Sequence, residues 1–159
     1  MLYLLSKDHL STPHSSRHAT RMVWWYLVVC QFSFLVMYAL GVTGVLNPPT
    51  RPGPNYFADF TAATGLVVLS VSIPAGLFIR NQIYKYHWHG HAVAPFGFFL
   101  GNIVLYGLLH VPAFIALSAV IFGKPVMAGL IPFGIAMAVH LINFPHGRAM
   151  QPQEPRLGR

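Results

Sequence analysis

Charge is what this chain has least of. Only 8% of its 159 residues are Asp, Glu, Lys or Arg, where a soluble domain carries about 25%. Three of them are acidic: Asp8, Asp59 and Glu154. All three lie outside the apolar runs. This excludes paired carboxylates as general acid and base and a carboxylate relay for protons or cations at membrane depth. Cys30 is the single cysteine, so there is no intrachain disulfide and no cysteine-rich metal centre. There is no nucleophile elbow, P-loop, dinucleotide fingerprint or zinc-protease helix. A secretory signal peptide is not expected over Met1 to Tyr26, because the basic residues follow the first apolar patch instead of preceding it.

What the chain has is apolar length. It is 55% hydrophobic, with 14 Gly and 13 Pro, a frequency that suits membrane helices better than soluble ones. The expected fold is all-α: an integral membrane four-helix bundle with spans at about 22–46, 60–79, 96–122 and 125–144. An interfacial or cytoplasmic segment 1–21 precedes this domain (22–145), and a basic, extended cytoplasmic tail 146–159 follows it. The longest uncharged run is Ala92 to Phe122. His110 sits in it, and Pro112 beside it removes a backbone donor and clashes at Leu108, so a kink is expected there. The other helices are expected to pack around this one.

Met1 to Leu10 reads as a short interfacial helix or a frayed end, and Ser11 to Arg21 as a polar surface linker. Trp24, Trp25 and Tyr26 open the first span as an aromatic belt, and Gln31 is its one strongly polar residue, expected to bond another helix. Asn47 to Asp59 holds four prolines and reads as a stiff extramembrane connector or docking surface. In the second span Ser70, Ser72 and Pro74 point to a local kink and close helix contacts. That span ends at Arg80, and Asn81 to His91 forms a polar connection. Gly123 and Lys124 make the last turn, and Pro132 adds a kink. Four spans put Lys7, Arg17, Arg21, Arg80, Lys85, Arg148, Arg156 and Arg159 on one side and Arg51 and Lys124 on the other. The positive-inside rule then places both termini in the cytoplasm, with the chain in the cytoplasmic (inner) membrane. The net charge of +7 flanks apolar spans, so it sets orientation and does not imply nucleic acid.

Two histidine groups are candidates for chemistry. His110 lies fourteen residues before Lys124 and His140 sixteen after it, so both stand roughly 21–24 Å from the turn, at matched depth. Gly107 and Ala113 share the face of His110, and Ala136 and Asn143 share that of His140. Small residues mark contact faces, so both imidazoles are expected to point inward. Three roles remain open. The pair could hold haem b between helices, supply two ligands to a metal, or bond neighbouring helices through Gln31, Tyr106, Asn102 or Asn143. The second group is His87, His89 and His91. Their alternation puts three imidazoles on one side of an extended chain, which suits Cu or Zn; the same stretch also reads as a polar interfacial turn at Gly90. Gly97 and Gly101 form a small-xxx-small pair that lets a backbone approach closely.

Residues 61–122 resemble the helical hairpin of rotary ATP synthase c subunits. Arg80-Asn81-Gln82 opens the loop as the family's Arg-Gln-Pro does. His110 in GLLHVPAFIALSAVIF stands where the family has its ion-binding carboxylate, which is absent here. The resemblance implies an oligomeric ion-conducting protein. The residues themselves point first to a non-catalytic integral subunit of a larger, bioenergetic or electron-transfer membrane complex. Its partners would be the lipid bilayer and other membrane-protein subunits. The alternative is a haem-bearing electron carrier using His110 and His140.

Overall fold

A computed structural model describes residues 10–42, 56–121 and 126–151. Four helices dominate: α1 (Pro13–Val42), α2 (Tyr56–Tyr86), α3 (Pro95–Ile121) and α4 (Val126–Ile142). Two short strands, β1 (Trp88–His89) and β2 (Ala92–Val93), join α2 to α3, and a 3-10 turn at Arg148–Met150 follows α4. The expected all-α class therefore stands, with one two-residue antiparallel hairpin added. α1, α2 and α3 each contain a stretch long and apolar enough to cross a membrane.

α3 is the central element and packs against each of the other three helices. Of its most apolar stretch 56% is buried, against 22% for α1 and for α2. Leu105, Tyr106 and Leu109 of α3 meet Trp24 and Val28 of α1 in one buried cluster. Ala113 meets Leu69 of α2 and Phe133 and Ala136 of α4 in another.

α1 runs parallel to α3 in a constant register. Ser16 Oγ donates to Pro95 O at one end, and Gln31 Nε2 stands 3.5 Å from His110 Nδ1 further along; both pairs are 79 residues apart in sequence. The offset thus holds over fifteen residues, or about 22 Å.

α2 and α3 are antiparallel, and the glycine pair lies between them. A Cβ on Gly97 would collide with the His87 side chain, and one on Gly101 would come within 2.7 Å of Tyr84 Cε1. The close neighbour of this pair is therefore the preceding helix of the same chain. Ala113 is buried as expected, but Gly107 is exposed and has nothing within 4 Å. Among the described residues nothing packs on it, because with Val111 it lies on a side of α3 that they leave open.

Several boundaries move for local reasons. Ser11 to Arg21 is not a linker, since α1 begins at Pro13. Thr12 caps it by accepting Ser15 N–H on Oγ1 at 3.2 Å, and Pro13 takes the first helical position, where no donor is needed. Ser16 and Thr20 are fully buried. α2 continues from Arg80 to Tyr86, because Asn81–Tyr86 contains no Gly or Pro to stop it. Trp24 is not a belt residue: it is buried, while Trp25 and Tyr26 are exposed. The start of the tail is not extended. Gly147 adopts φ 80°, and the turn after it seats Met150 against Val93 and Phe98. The expected interfacial helix at 1–10 (save Leu10), the proline-rich stretch up to residue 55 and the turn at Gly123–Lys124 lie outside the described residues.

Candidate functional site

The sequence places two histidines at one depth, and the fold brings them into contact. The His110 and His140 ring centroids are 5.8 Å apart, with planes at 62°. Both residues are buried, His140 completely. Each is set by the helix that carries it. Leu109 and Ala113 anchor the inner face of α3. Ala136, fully buried one turn before His140, lets α4 approach closely.

Aromatic rings close around the pair. Tyr106 stacks on His140 at 4.8 Å and 10°. Trp24 meets His140 edge-on at 5.6 Å, and its Nε1 donates to His140 O at 3.2 Å. Phe114 meets His110 at 5.3 Å. Gln31 reaches His110 from α1 at the outer limit of hydrogen-bond length.

Four buried atoms in this cluster have no hydrogen-bond partner among the described residues: Gln31 Oε1, His110 Nε2, and both ring nitrogens of His140. Buried polar groups are almost always paired, and an orphan costs roughly 1–3 kcal/mol. The expectation that these histidines bond neighbouring helices is thus met weakly at His110 and not at His140. Tyr106 stacks on His140 without bonding it. Asn102 and Asn143 serve Tyr106 instead: its hydroxyl donates to Asn143 O at 2.9 Å and lies 3.5 Å from Asn102 Oδ1.

A polar column links the cluster to one end of the bundle. Asn102 Nδ2 donates to Tyr84 OH at 2.8 Å, and Arg80 Nη1 donates to Asn143 Oδ1 at 2.7 Å. In the other direction the column stops. One turn beyond Gln31 and His110, Phe34 and Phe114 lie 4.4 Å apart, backed by the apolar cluster around Ala113.

No family model, curated protein or solved structure matches this chain. Its own geometry carries the reading.

That geometry bears on haem b. A macrocycle ligated by both imidazoles would lie between them, yet their rings touch edge to face. Tyr106, Trp24 and Phe114 occupy the flanks. With the rings packed in this way there is no room for a porphyrin between the two imidazoles.

The second histidine group does not assemble. His87 is half-buried beneath α3 with Nδ1 against Ile83 O at 3.0 Å, and His89 Nδ1 lies 3.1 Å from His87 O. The chain reverses at Gly90, φ 61°, and His91. A tight turn replaces the extended strand on which three imidazoles would align. Among the described residues no three His, Cys, Asp or Glu side chains are grouped to share a metal ion.

Reading the sequence did not single out Trp24, Tyr84, Arg80 or Gly147 for the site. Trp24 and Tyr84 look like belt aromatics, and only the pairing of α1 with α4 and of α2 with α3 turns them inward.

Proposed function

We propose that this chain is a non-catalytic integral membrane subunit of a larger membrane complex, with four spans and both termini on the cytoplasmic side. The observation that carries it is the state of α1. This helix is held mainly along α3. Elsewhere it exposes Trp25, Tyr26 and Phe32, each 52–59% accessible. Rigid aromatic anchors of this kind are what interfaces use, and the open notch at Gly107 on the central helix suits a second backbone. The blind polar column argues against a through-pathway in a single copy. The orientation is supported by Arg17, Arg21, Arg80, Lys85 and Arg148, which gather at one end.

The test is native mass spectrometry of protein extracted from its own membrane in mild detergent. A heteromeric mass of fixed composition is expected. A lone monomer would overturn the proposal, and so would a homomeric ring, which would favour the c-subunit likeness of the hairpin.

A second reading concerns the buried pair, and the orphaned His140 nitrogens favour it. Two neutral imidazoles and the Gln31 carboxamide would hold one small ligand: a water molecule, or a metal ion that accepts imidazole. No carboxylate is present among the described side chains to offset charge, so a monovalent ion such as Cu(I) costs least to bury. Elemental analysis of the purified protein is expected to find stoichiometric metal that His140→Leu removes. Metal-free protein whose His140→Leu variant is as stable or more stable would leave water or simple packing as the role of the pair.

A further inference from the structure

At the basic end of the bundle a cleft of about 210 Å³ opens between the end of α2, the start of α3 and the segment after α4. Its polar lining is Arg80, Tyr84, Asn102, Asn143, His146 and Arg148. None carries a negative charge, and Arg80, Tyr84, His146 and Arg148 can donate hydrogen bonds, whereas Asn102 Nδ2 already donates to Tyr84 OH and Phe98 O and Asn143 Nδ2 to Val139 O. Arg80 is fixed rather than waving in solvent. Nη1 holds Asn143 Oδ1, the guanidinium lies over the Tyr84 ring at 5.9 Å, and its buried Nε has no partner among the described residues. Tyr84 OH already accepts from Asn102 Nδ2, which leaves its own proton free to donate. His146 and Arg148 are exposed at the rim.

Further positive charge converges on the same segment from the other side. Arg21 Nε donates to Pro145 O at 3.4 Å, and its guanidinium sits 5.3 Å from the Phe144 ring centre. Arg17 lies against Gly147, where a Cβ would come within 2.7 Å of its Nε, and that Nε is also buried without a partner among the described residues. Three helix-borne arginines, Arg17, Arg21 and Arg80, therefore surround residues 143–148, a segment that itself carries Arg148. No described side chain is a carboxylate that could neutralise them. Fixed like charges repel in a low-dielectric setting unless an anion sits among them. Arginine's planar fork matches phosphate oxygens two at a time.

We infer that this cleft binds a phosphate group, with Arg80 as the fixed floor and Arg148 and His146 closing from the rim. The phosphate of an anionic phospholipid headgroup and free inorganic phosphate share this chemistry. The cleft lies at one end of the apolar helices, the level at which headgroups would lie around a spanning bundle.

The experiment uses full-length protein in nanodiscs of phosphatidylcholine, with and without phosphatidylglycerol. Lipid retained on release is measured by native mass spectrometry with and without added inorganic phosphate, and inorganic phosphate is titrated by calorimetry into protein in dodecyl maltoside, a detergent without phosphate. Retained phosphatidylglycerol that phosphate does not displace assigns the site to lipid. Saturable phosphate binding without lipid preference assigns it to the free anion. In either case Arg148→Gln should weaken binding about tenfold, the share of one charge-assisted contact, and Arg80→Gln at least as much. Lys85→Gln, at the same end but outside the cleft, should leave it unchanged. Arg148 is exposed, so its variant keeps the fold and the test survives if Arg80→Gln does not. No preference for phosphatidylglycerol together with no phosphate binding would overturn the inference. Equal losses in Lys85→Gln and Arg148→Gln would also overturn it, since they would mark diffuse surface charge.

Discussion

At the scale of single residues, glycine and histidine act in opposite senses. Gly97 and Gly101 act by having no side chain. His87 and Tyr84 occupy the space where their Cβ atoms would stand, so the α2–α3 contact closes only around glycine. Gly97→Ala is expected to destabilise the protein by about 1–3 kcal/mol, the usual cost of forcing atoms into a filled contact. Gly101→Ala should cost less if the Tyr84 ring shifts. Gly107→Ala meets nothing within 4 Å and should be neutral or stabilising by about 0.5–1 kcal/mol. Unfolding in detergent followed by tryptophan fluorescence, in a background where Trp25 and Trp88 are Phe so that buried Trp24 reports alone, would rank the three. A Gly97→Ala variant as stable as Gly107→Ala would mean that α2 and α3 are not held this closely. The histidines are the reverse case, since they bring polar atoms into a core that does not pair them. His110 and His140 are conspicuous in a sequence because their side chains are costly at that depth. The orphaned nitrogens explain why they stand out in the fold as well.

At the scale of elements, apolar runs and helices turn out to be different things. The runs at 60–79 and 96–122 are legible from hydropathy, and α2 covers the first and α3 the second as far as Ile121. Hydropathy gives no sign of where a helix continues into polar sequence. α1 gains nine residues before Met22, Pro13–Arg21, because Thr12-Pro13 forms a cap. That signal was present in the sequence but obscured by the polar composition of Ser11–Arg21. α2 gains Asn81–Tyr86 because nothing there breaks it. The depth match of His110 and His140 was legible because α3 and α4 are antiparallel neighbours close in sequence, and counting residues from Lys124 fixes height. Rotation about each helix axis was not legible, and it decides whether an imidazole meets Gln31, Tyr106 or lipid. The hairpin at Trp88–Val93 was half legible: Gly90 announced a turn, but the alternation of histidines was equally compatible with a straight strand. Only the pairing of His89 with Ala92 decides between them.

At the scale of the whole molecule, the ends of the elements determine topology. α1 and α3 start at the same end, held by the Ser16–Pro95 contact, and α2 and α4 finish there, held by Arg80 and Asn143. The hairpin and the turn at Arg148–Met150 meet at this end too, through Val93 and Met150. If the bundle spans a membrane, every one of these segments faces one compartment. This can be tested by replacing Cys30 with Ser and introducing single cysteines at the exposed positions His14, His91 and Gln151. All three should react with a membrane-impermeant thiol reagent from the same side of sealed vesicles, and Arg51→Cys, between α1 and α2, from the other. Each site is argued from a different helix, so the pattern of failure is informative. Labelling of His14→Cys and Gln151→Cys from opposite sides would require an odd number of crossings and would demote α4, the shortest helix at 17 residues, to a non-spanning element. Labelling of all four sites from both sides would remove the bundle from the membrane interior altogether. The expected pattern would place the basic cleft and the open end of the polar column at the same membrane face, within reach of the same headgroups.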